Sequence, residues 1–428
     1  MTRIVGCGQR SGSVKVPASK SVVHRMLICG ALSKEPCAVG VDGVSKDIKA
    51  TTECLIGMGA DLRQAPGRID ITSGLTRGGE CDVCCGESGS TLRFLIPVAA
   101  ALGKTVRFRM EGLLPERPHD VLTNELMRHG AVVSQDGNIL TVGGQLEPGD
   151  YTIAGNISSQ FISGLLFALP LLSGDSNIII TGKRESVSYI EMTLDALRDS
   201  GIVIKETPTG YFVAGSQTYS RKGFSEAERD WSGAAFFLCM GAMSEKGITL
   251  EGMNMSSRQG DMKVMKILED FGADISVKVS SDKTGNYENA GTACVTVKKG
   301  DCRPCEIDAG DIPDLVPVLS VLMCAAQGRS VIKNAQRLRF KESDRLATTS
   351  EMIRALGGTV TVTEDGLLID GTGKLGSGTV DPANDHRIAM SAATAASICT
   401  GDVVIPDAQC TEKSYPGFFE DLDNLRKH

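Results

Sequence analysis

The stretch "ECLIGMGA" (Glu53–Ala60) ends an apolar helical pattern on a glycine. Four later stretches do the same: "NELMRHGA" (Asn124–Ala131), "DALRDSGI" (Asp195–Ile202), "KILEDFGA" (Lys266–Ala273) and "EMIRALGG" (Glu351–Gly358). A glycine just past the last helical turn supplies the left-handed cap that stops the helix. These glycines fall at 59, 130, 201, 272 and 357, so the first three intervals are 71 residues each and the fourth is 85. The extra 14 residues are assigned to the polar stretch "SSDKTGNYENAG" (Ser280–Gly291), and His428 lies a further 71 residues past Gly357. A regular spacing of this kind marks a structural repeat.

Each such helix is followed by an alternating, β-branched segment such as "AVVSQDGNILTVGG" or "GTVTVTEDGLLIDG", a hairpin with Asp-Gly at its turn. Between them runs a second, more apolar series: "SKSVVHRMLICGAL", "GSTLRFLIPVAAAL", "SSQFISGLLFALPLL", "DWSGAAFFLCMGAM", "IPDLVPVLSVLMCAA" and "NDHRIAMSAATAAS". Helices apolar almost all round are surrounded by other elements. The pattern predicts six βαβαββ-type repeats, three to a half, with buried helices inside a layer of outer helices and sheet. The halves are read as 19–228 and as 229–428 completed by 1–18, the break falling at "SRKGFSEAERDW" and the N-terminal strand pairing with the C-terminal half.

Composition narrows the function. A net charge of −7 and a pI near 5.5 exclude nucleic acid as the main partner, since phosphate-backbone binding needs a basic face. The N-terminus lacks a signal-peptide core and no run would span a membrane, so the chain reads as a cytoplasmic protein; separately, a monomer is expected. Fourteen cysteines then read as reduced thiols rather than a disulfide framework. The pairs Cys81/Cys84 and Cys302/Cys305 have zinc-like spacing but lie 221 residues apart on strand-like segments, and no metal is expected.

The chemistry gathers where the buried helices open. These openings carry Lys20, Ser21 and Arg25; Ser88, Ser90 and Arg93; Ser158, Ser159 and Gln160; Asp311 and Asp314; and Asp385, His386 and Arg387. Ser and Asp cap helices routinely, but capping does not explain Lys20, Arg25 and Arg387. Cations at a helix N-terminus repel its dipole unless an anion sits among them. A further group, Lys341, Glu342 and Arg345, falls at i, i+1 and i+4, with Lys341 and Arg345 on one helical face. Alone, that spacing also fits an ordinary solvated cluster.

The segments "PASKSVVHR", "ESGSTLRF", "LPERPHDVL", "ISSQF", "SVSYIE", "IPDLVP", "KESDRL", "NDHRIAM" and "CTEKSYPGFFEDL" occur in this order along the chain. In that series the chain resembles the 5-enolpyruvylshikimate-3-phosphate (EPSP) synthase family over essentially its whole length. The resemblance implies a two-domain inside-out α/β barrel whose cleft closes over shikimate 3-phosphate and phosphoenolpyruvate. The implied reaction belongs to the shikimate pathway of aromatic amino-acid biosynthesis.

By similarity, Lys20, Ser21, Arg25, Ser158, Ser159, Gln160, Ser186, Tyr189, Asp314 and Lys341 would hold shikimate 3-phosphate. Lys20, Gly89, Arg117, Gln160, Arg345, Arg387 and Lys413 would hold phosphoenolpyruvate. Asp314 and Glu342, with Lys20 and Lys413, would be the catalytic set. Physical chemistry agrees with the residue types, because guanidinium groups bind phosphate and carboxylate bidentately. Adding a hydroxyl to an enol also needs a base, an acid and charge stabilisation. No metal or organic cofactor is called for, since the enol phosphate brings its own leaving group.

Two rival readings fit less well. A related enolpyruvyl transferase acting on UDP-N-acetylglucosamine would be expected to carry a reactive loop cysteine, and "MEGLLPERPHD" has none. A non-catalytic phosphate-binding repeat protein would gain nothing from Asp314 and Glu342. One departure stands out: many members read Asn-Ala-Gly-Thr followed by Ala-Met-Arg-Pro, where this chain has Glu87-Ser88-Gly89-Ser90 followed by Thr91-Leu92-Arg93-Phe94. Arg337 likewise replaces an Asn of some members. Glu87 is expected to be ionised, held by a neighbouring cation, and to orient the cationic clamp.

Overall fold

In the computed structural model, which describes residues 1–279 and 291–428, the repeat glycines cap helices. Gly59, Gly130, Gly201, Gly272 and Gly357 have φ of 105°, 87°, 77°, 90° and 76°, the left-handed region that only glycine enters cheaply. The polar stretch credited with the long fourth interval lies, apart from Gly291, outside the described residues.

The chain forms two compact units, Lys20–Ala227 and Met1–Ser19 with Glu228–His428. The first holds α1 (Lys20–Leu32), α2 (Lys46–Gly57), α3 (Gly89–Ala101), α4 (Asp120–Arg128), α5 (Ser159–Ala168) and α6 (Val187–Arg198). The second holds α7 (Trp231–Ala242), α8 (Val264–Phe271), α9 (Val316–Cys324), α10 (Arg345–Ala355), α11 (His386–Ala395) and α12 (Phe418–Asn424). Odd-numbered helices are the apolar series and are buried nearly end to end; α3 exposes only part of Ser90, and α9 nothing. Most even-numbered helices bury one face, as α4 does through Leu122, Thr123, Glu125 and Leu126. Each fully buried Leu, Val or Phe stabilises by roughly 1.5–3 kcal/mol, so these inner helices carry the core.

The sheets repeat as well. Glu80–Gly86 and Thr105–Met110 pair in parallel, then Ile139–Gly144 and Ala131–Asp136 add antiparallel. An inner helix links the parallel pair, an outer helix precedes the hairpin, and Asp136-Gly137 stands at its turn. Asp150–Ala154, Ser176–Thr181, Gly210–Val213 and Ile204–Thr207 have the same order, as do Glu306–Asp308, Gln327–Lys333, Leu367–Thr372 and Thr359–Val362.

The remaining sheets borrow strands from distant sequence. Gly223–Glu226 lies parallel to Cys37–Gly40 and fills the first position of the first sheet. In the other unit Arg10–Val14 pairs in parallel with Ile248–Asn254, and Arg3–Val5 pairs antiparallel with Val403–Ile405.

All fourteen cysteines are free. Cys81 and Cys84 share the strand Glu80–Gly86, where residues three apart point to opposite faces. Cys302 and Cys305 do not lie on a strand: they sit in coil before Glu306–Asp308, Cys302 with φ of 53°. Among the described residues no His, Cys, Asp and Glu side chains form a metal-binding group. No described helix is long and apolar enough to cross a membrane.

Candidate active site

In the Lys20–Ala227 unit the openings of α1, α3 and α5 meet through side chains. Ser88 caps α3 by accepting from the Thr91 N–H at 3.3 Å, and Ser158 caps α5 by accepting from Gln160 N–H at 3.3 Å. Each such cap is worth about 1 kcal/mol. Ser90 bonds His24 Nδ1 at 3.0 Å, joining α3 to α1, and Arg93 donates through Nη1 to Gln160 Oε1 at 2.8 Å, joining α3 to α5. Arg93 also donates to the Pro118 carbonyl at 3.1 Å, which steadies the loop carrying Arg117. The Arg117 guanidinium lies over the start of α3. A Cβ on Gly89 would stand only 3.0 Å from its Nη1, so a residue without one permits this approach.

Lys20, the first residue of α1, pairs with Asp47 at 2.8 Å. Arg25, one turn on and 3 % exposed, donates to Thr193 Oγ1 at 2.9 Å, to the Ser21 carbonyl at 2.7 Å and to the Tyr189 carbonyl at 2.8 Å. Its guanidinium also stacks 5.2 Å from the centre of the Phe94 ring. Burial pushes Arg25 down to about 10, so its charge is held against a desolvation penalty. Burial, with Lys20 and Arg25 beside it, holds His24 well below the usual imidazole range, so that ring is neutral. Ser186 opens α6 in the left-handed conformation, φ 53°. Glu87 is half-buried, its carboxyl packed so closely over Gly112 that a Cβ there would lie 2.6 Å from Oε2.

In the other unit the openings of α9, α10 and α11 converge on one arginine. Arg345 is 1 % exposed and donates to Asp314 Oδ1 at 2.7 Å, to Glu342 Oε2 at 2.6 Å and to Asp385 Oδ2 at 2.7 Å. Burial opposes its charge, but Asp385, Glu342 and Asp314 raise its pKa well above the ordinary value. Asp385 caps α11 by accepting from the Arg387 N–H at 2.9 Å. Burial disfavours its charge too, yet Arg345 and His386 hold it below the usual carboxylate range.

Asp314 faces three cations. Besides Arg345 it meets Arg387 Nη2 at 3.1 Å and Lys341 Nζ at 3.6 Å. Burial, against the pull of Asp314, brings Lys341 down to about 8. Lys413 donates to the Asn384 carbonyl at 2.6 Å, beside the start of α11. Arg337 donates to the Gly310 carbonyl.

The structure therefore gathers Lys20, Ser21, Arg25, Gly89, Arg117, Ser158, Ser159, Gln160, Ser186 and Tyr189 at helix openings of one unit. It gathers Asp314, Lys341, Glu342, Arg345, Arg387 and Lys413 at those of the other. One local expectation fails: Lys341 and Arg345 do not share a helical face. Lys341 is extended, with φ −90° and ψ −153°, and α10 begins only at Arg345 because Asp344 caps it. The two meet through Asp314 instead. Asp311, grouped with the site in sequence, pairs with Lys263 at 2.7 Å at the surface.

Sequence reasoning gave no site role to Arg93, Asp47 or Asp385. Arg93 and Asp385 stood in the helix openings and carried that signal; Asp47, on α2, carried none.

A family model described as EPSP synthase (3-phosphoshikimate 1-carboxyvinyltransferase) matches residues 5–422. The 3-phosphoshikimate 1-carboxyvinyltransferase of Clostridium kluyveri is 41% identical over 421 residues, covering 97% of this chain and 95% of the relative. That of Brachyspira hyodysenteriae is 37% identical over 429 residues, covering 99% of each. Among solved structures, EPSP synthase from Acinetobacter baumannii has a TM-score of 0.79 at 24% identity, covering 99% of this chain and 97% of that one. The enolpyruvyl transferase NikO from Streptomyces tendae has a TM-score of 0.77 at 17% identity, covering 100% and 98%. These two likenesses are of fold, and the chain shares the two-domain inside-out α/β fold of the EPSP synthases.

Proposed function

Because the chain belongs to the EPSP synthase family, we propose that it transfers the enolpyruvyl group of phosphoenolpyruvate to the 5-hydroxyl of shikimate 3-phosphate, releasing inorganic phosphate. The observation that carries this reading is the ion cluster around Arg345, in which Asp314, Glu342 and Asp385 stand among Arg345, Arg387 and Lys341. A receptor for anions has no use for so many carboxylates. A site that moves two protons does.

Lys20, Ser21, Arg25, Ser158, Ser159, Gln160, Ser186, Tyr189, Asp314 and Lys341 hold shikimate 3-phosphate, and Arg25 is suited to its phosphate because neutral oxygens hold it and leave its charge available. Lys20, Gly89, Arg117, Gln160, Arg345, Arg387 and Lys413 hold phosphoenolpyruvate. The 5-hydroxyl adds to C2 of the enol while C3 takes a proton, giving a tetrahedral adduct. Loss of a C3 proton and of phosphate then restores the double bond.

Asp314 is the acceptor for the hydroxyl proton, and Lys341 beside it screens the developing charge. Glu342 and Lys413 share the C3 proton. Arg345 already serves three carboxylates, so a substrate carboxylate arriving there competes with Glu342. Freed from that ion pair, Glu342 gains proton affinity at the moment C3 needs an acid. Protein, substrate and cytoplasmic water suffice for this scheme, and the chain works as a monomer.

A phosphate-release assay tests the reading. Release is expected only with both substrates present. Release from phosphoenolpyruvate alone, or none with the pair, would overturn it.

A further inference from the structure

Behind the Arg345 cluster lies a carboxylate that the proposed reaction does not use. Asp261 sits on the short turn Gly260–Lys263, which Gln259 fixes beneath the opening of α7. Gln259 accepts from Trp231 N–H at 3.0 Å and donates to the Arg229 carbonyl at 2.7 Å. Asp261 is 1 % exposed. Ser232 donates to its Oδ2, while its Oδ1 is buried without a hydrogen-bond partner among the described residues.

The charged groups facing it are Asp314 at the opening of α9, Arg387 at that of α11 and Asp230 at that of α7. On its own turn, Lys263 is engaged by Asp311 at the surface. Asp314 and Asp261 thus both feel the charge of one guanidinium. Arg387 bonds Asp314, at 3.1 Å to Oδ2 and 3.2 Å to the carbonyl. A buried oxygen without a donor tolerates a neutral acid far better than an anion, because the anion loses its hydration with nothing in exchange.

We propose that Asp261 is a positioning residue for the reaction proposed above: its carboxyl is protonated in the working enzyme, and its ionisation draws Arg387 away from Asp314 and from phosphoenolpyruvate. Burial, and next the charge of Asp314, push the Asp261 carboxyl up to about 7, with Arg387 and Ser232 pulling the other way. The proton therefore leaves in the neutral range. Arg387 then faces the charge of Asp261 in addition to that of Asp314, and phosphoenolpyruvate meets a clamp that is both displaced and less positive.

The test compares the natural protein with Asp261→Asn, which has the same shape and stays neutral. In the natural protein kcat/KM for phosphoenolpyruvate is expected to fall above pH 7, ahead of the later fall due to Lys341. Asp261→Asn should lose the earlier limb, so that at pH 8 it exceeds the natural protein by up to about tenfold, one titration unit's worth. KM for shikimate 3-phosphate should follow the same pH curve in both. Coincident phosphoenolpyruvate profiles would overturn the proposal.

A merely structural role would leave the profile unmoved and only scale it. Should the variant not fold, infrared titration of the natural protein carrying isotope-labelled aspartate decides the matter: a protonated carboxyl persisting to about pH 7 supports the proposal, and complete ionisation by pH 6 overturns it. That measurement needs no turnover. A chain that released no phosphate at any pH would sink the reaction, whereas the infrared result bears on Asp261 alone.

Discussion

Arg25 and Arg345 are both buried arginines at helix openings, and they are held in opposite ways. Arg25 is bound by a hydroxyl and two carbonyls, with no carboxylate bonded to it among the described residues, and burial lowers its pKa to about 10. Arg345 is bound by three carboxylates that raise its pKa despite burial. The same residue type on the same frame thus does two jobs. Arg25 keeps a charge that its neutral partners do not cancel; Arg345 ties three carboxylates together. Helix dipoles supply a common positive background, and the oxygens bonded to each guanidinium set how much positive charge the opening keeps.

Removing each arginine is the strongest way to break this contrast. Arg345→Met leaves Asp314, Glu342 and the fully buried Asp385 without their shared cation, and should lower stability at pH 7 by roughly 3–5 kcal/mol in chemical denaturation. Arg25→Met should change stability by about 1 kcal/mol or less, yet weaken shikimate 3-phosphate binding by about 10²-fold or more in calorimetry. Equal losses of stability would erase the distinction. Next in size, Asp314→Asn should lower turnover by about 10²-fold or more, the usual worth of a positioned proton acceptor, with shikimate 3-phosphate binding still measurable. Normal turnover would remove Asp314 from its role.

Lys341 sharpens the comparison through pH. Its charge is half lost at about pH 8, so shikimate 3-phosphate affinity should decline as pH rises through that value. Stability runs the other way. The unfolded lysine keeps its proton to about 10.4, so between about 8 and 10 the unfolded chain binds more protons and stability rises with pH. Lys341→Met should accordingly stabilise the ligand-free protein at pH 7 by about 1 kcal/mol while weakening substrate binding. A destabilised variant would show that its ion pair with Asp314 outweighs burial.

The smallest effect expected is at Gly89. A methyl group there would stand 3.0 Å from Arg117 Nη1, so Gly89→Ala should raise KM for phosphoenolpyruvate several-fold and leave that for shikimate 3-phosphate alone.

The repeat was legible because its signal is geometric: a capping glycine must recur wherever an outer helix hands over to a hairpin, and Gly59 to Gly357 do so. The buried helices were legible because they are apolar all round. What sequence could not reveal was partnership. Lys341 and Arg345 are four apart and looked like helical neighbours, but Asp344 prefers to cap α10, and that single side chain moves the helix start past Lys341. Asp261 sits 53 residues from Asp314 in an unremarkable turn, and only tertiary packing makes it a charged neighbour. Helix openings could be found by pattern; the carboxylates that tune them had to be found in space.

The borrowed strands impose an order of events at the ribosome. Lys20–Ala227 has every strand of its sheets once Gly223–Glu226 has emerged. Arg10–Val14 is made earlier but pairs with Ile248–Leu250, so at roughly 5–20 residues per second it waits on the order of ten to fifty seconds for its neighbour. Arg3–Val5 waits longer, for Val403–Ile405. A strand idle for that time is exposed to the wrong partners, and "RSGSV" suits the wait: Arg, two Ser and a Gly give it little apolar drive to pair with anything else. Synthesis thus leaves a nascent chain with one finished unit and a polar leading segment held in reserve for the other.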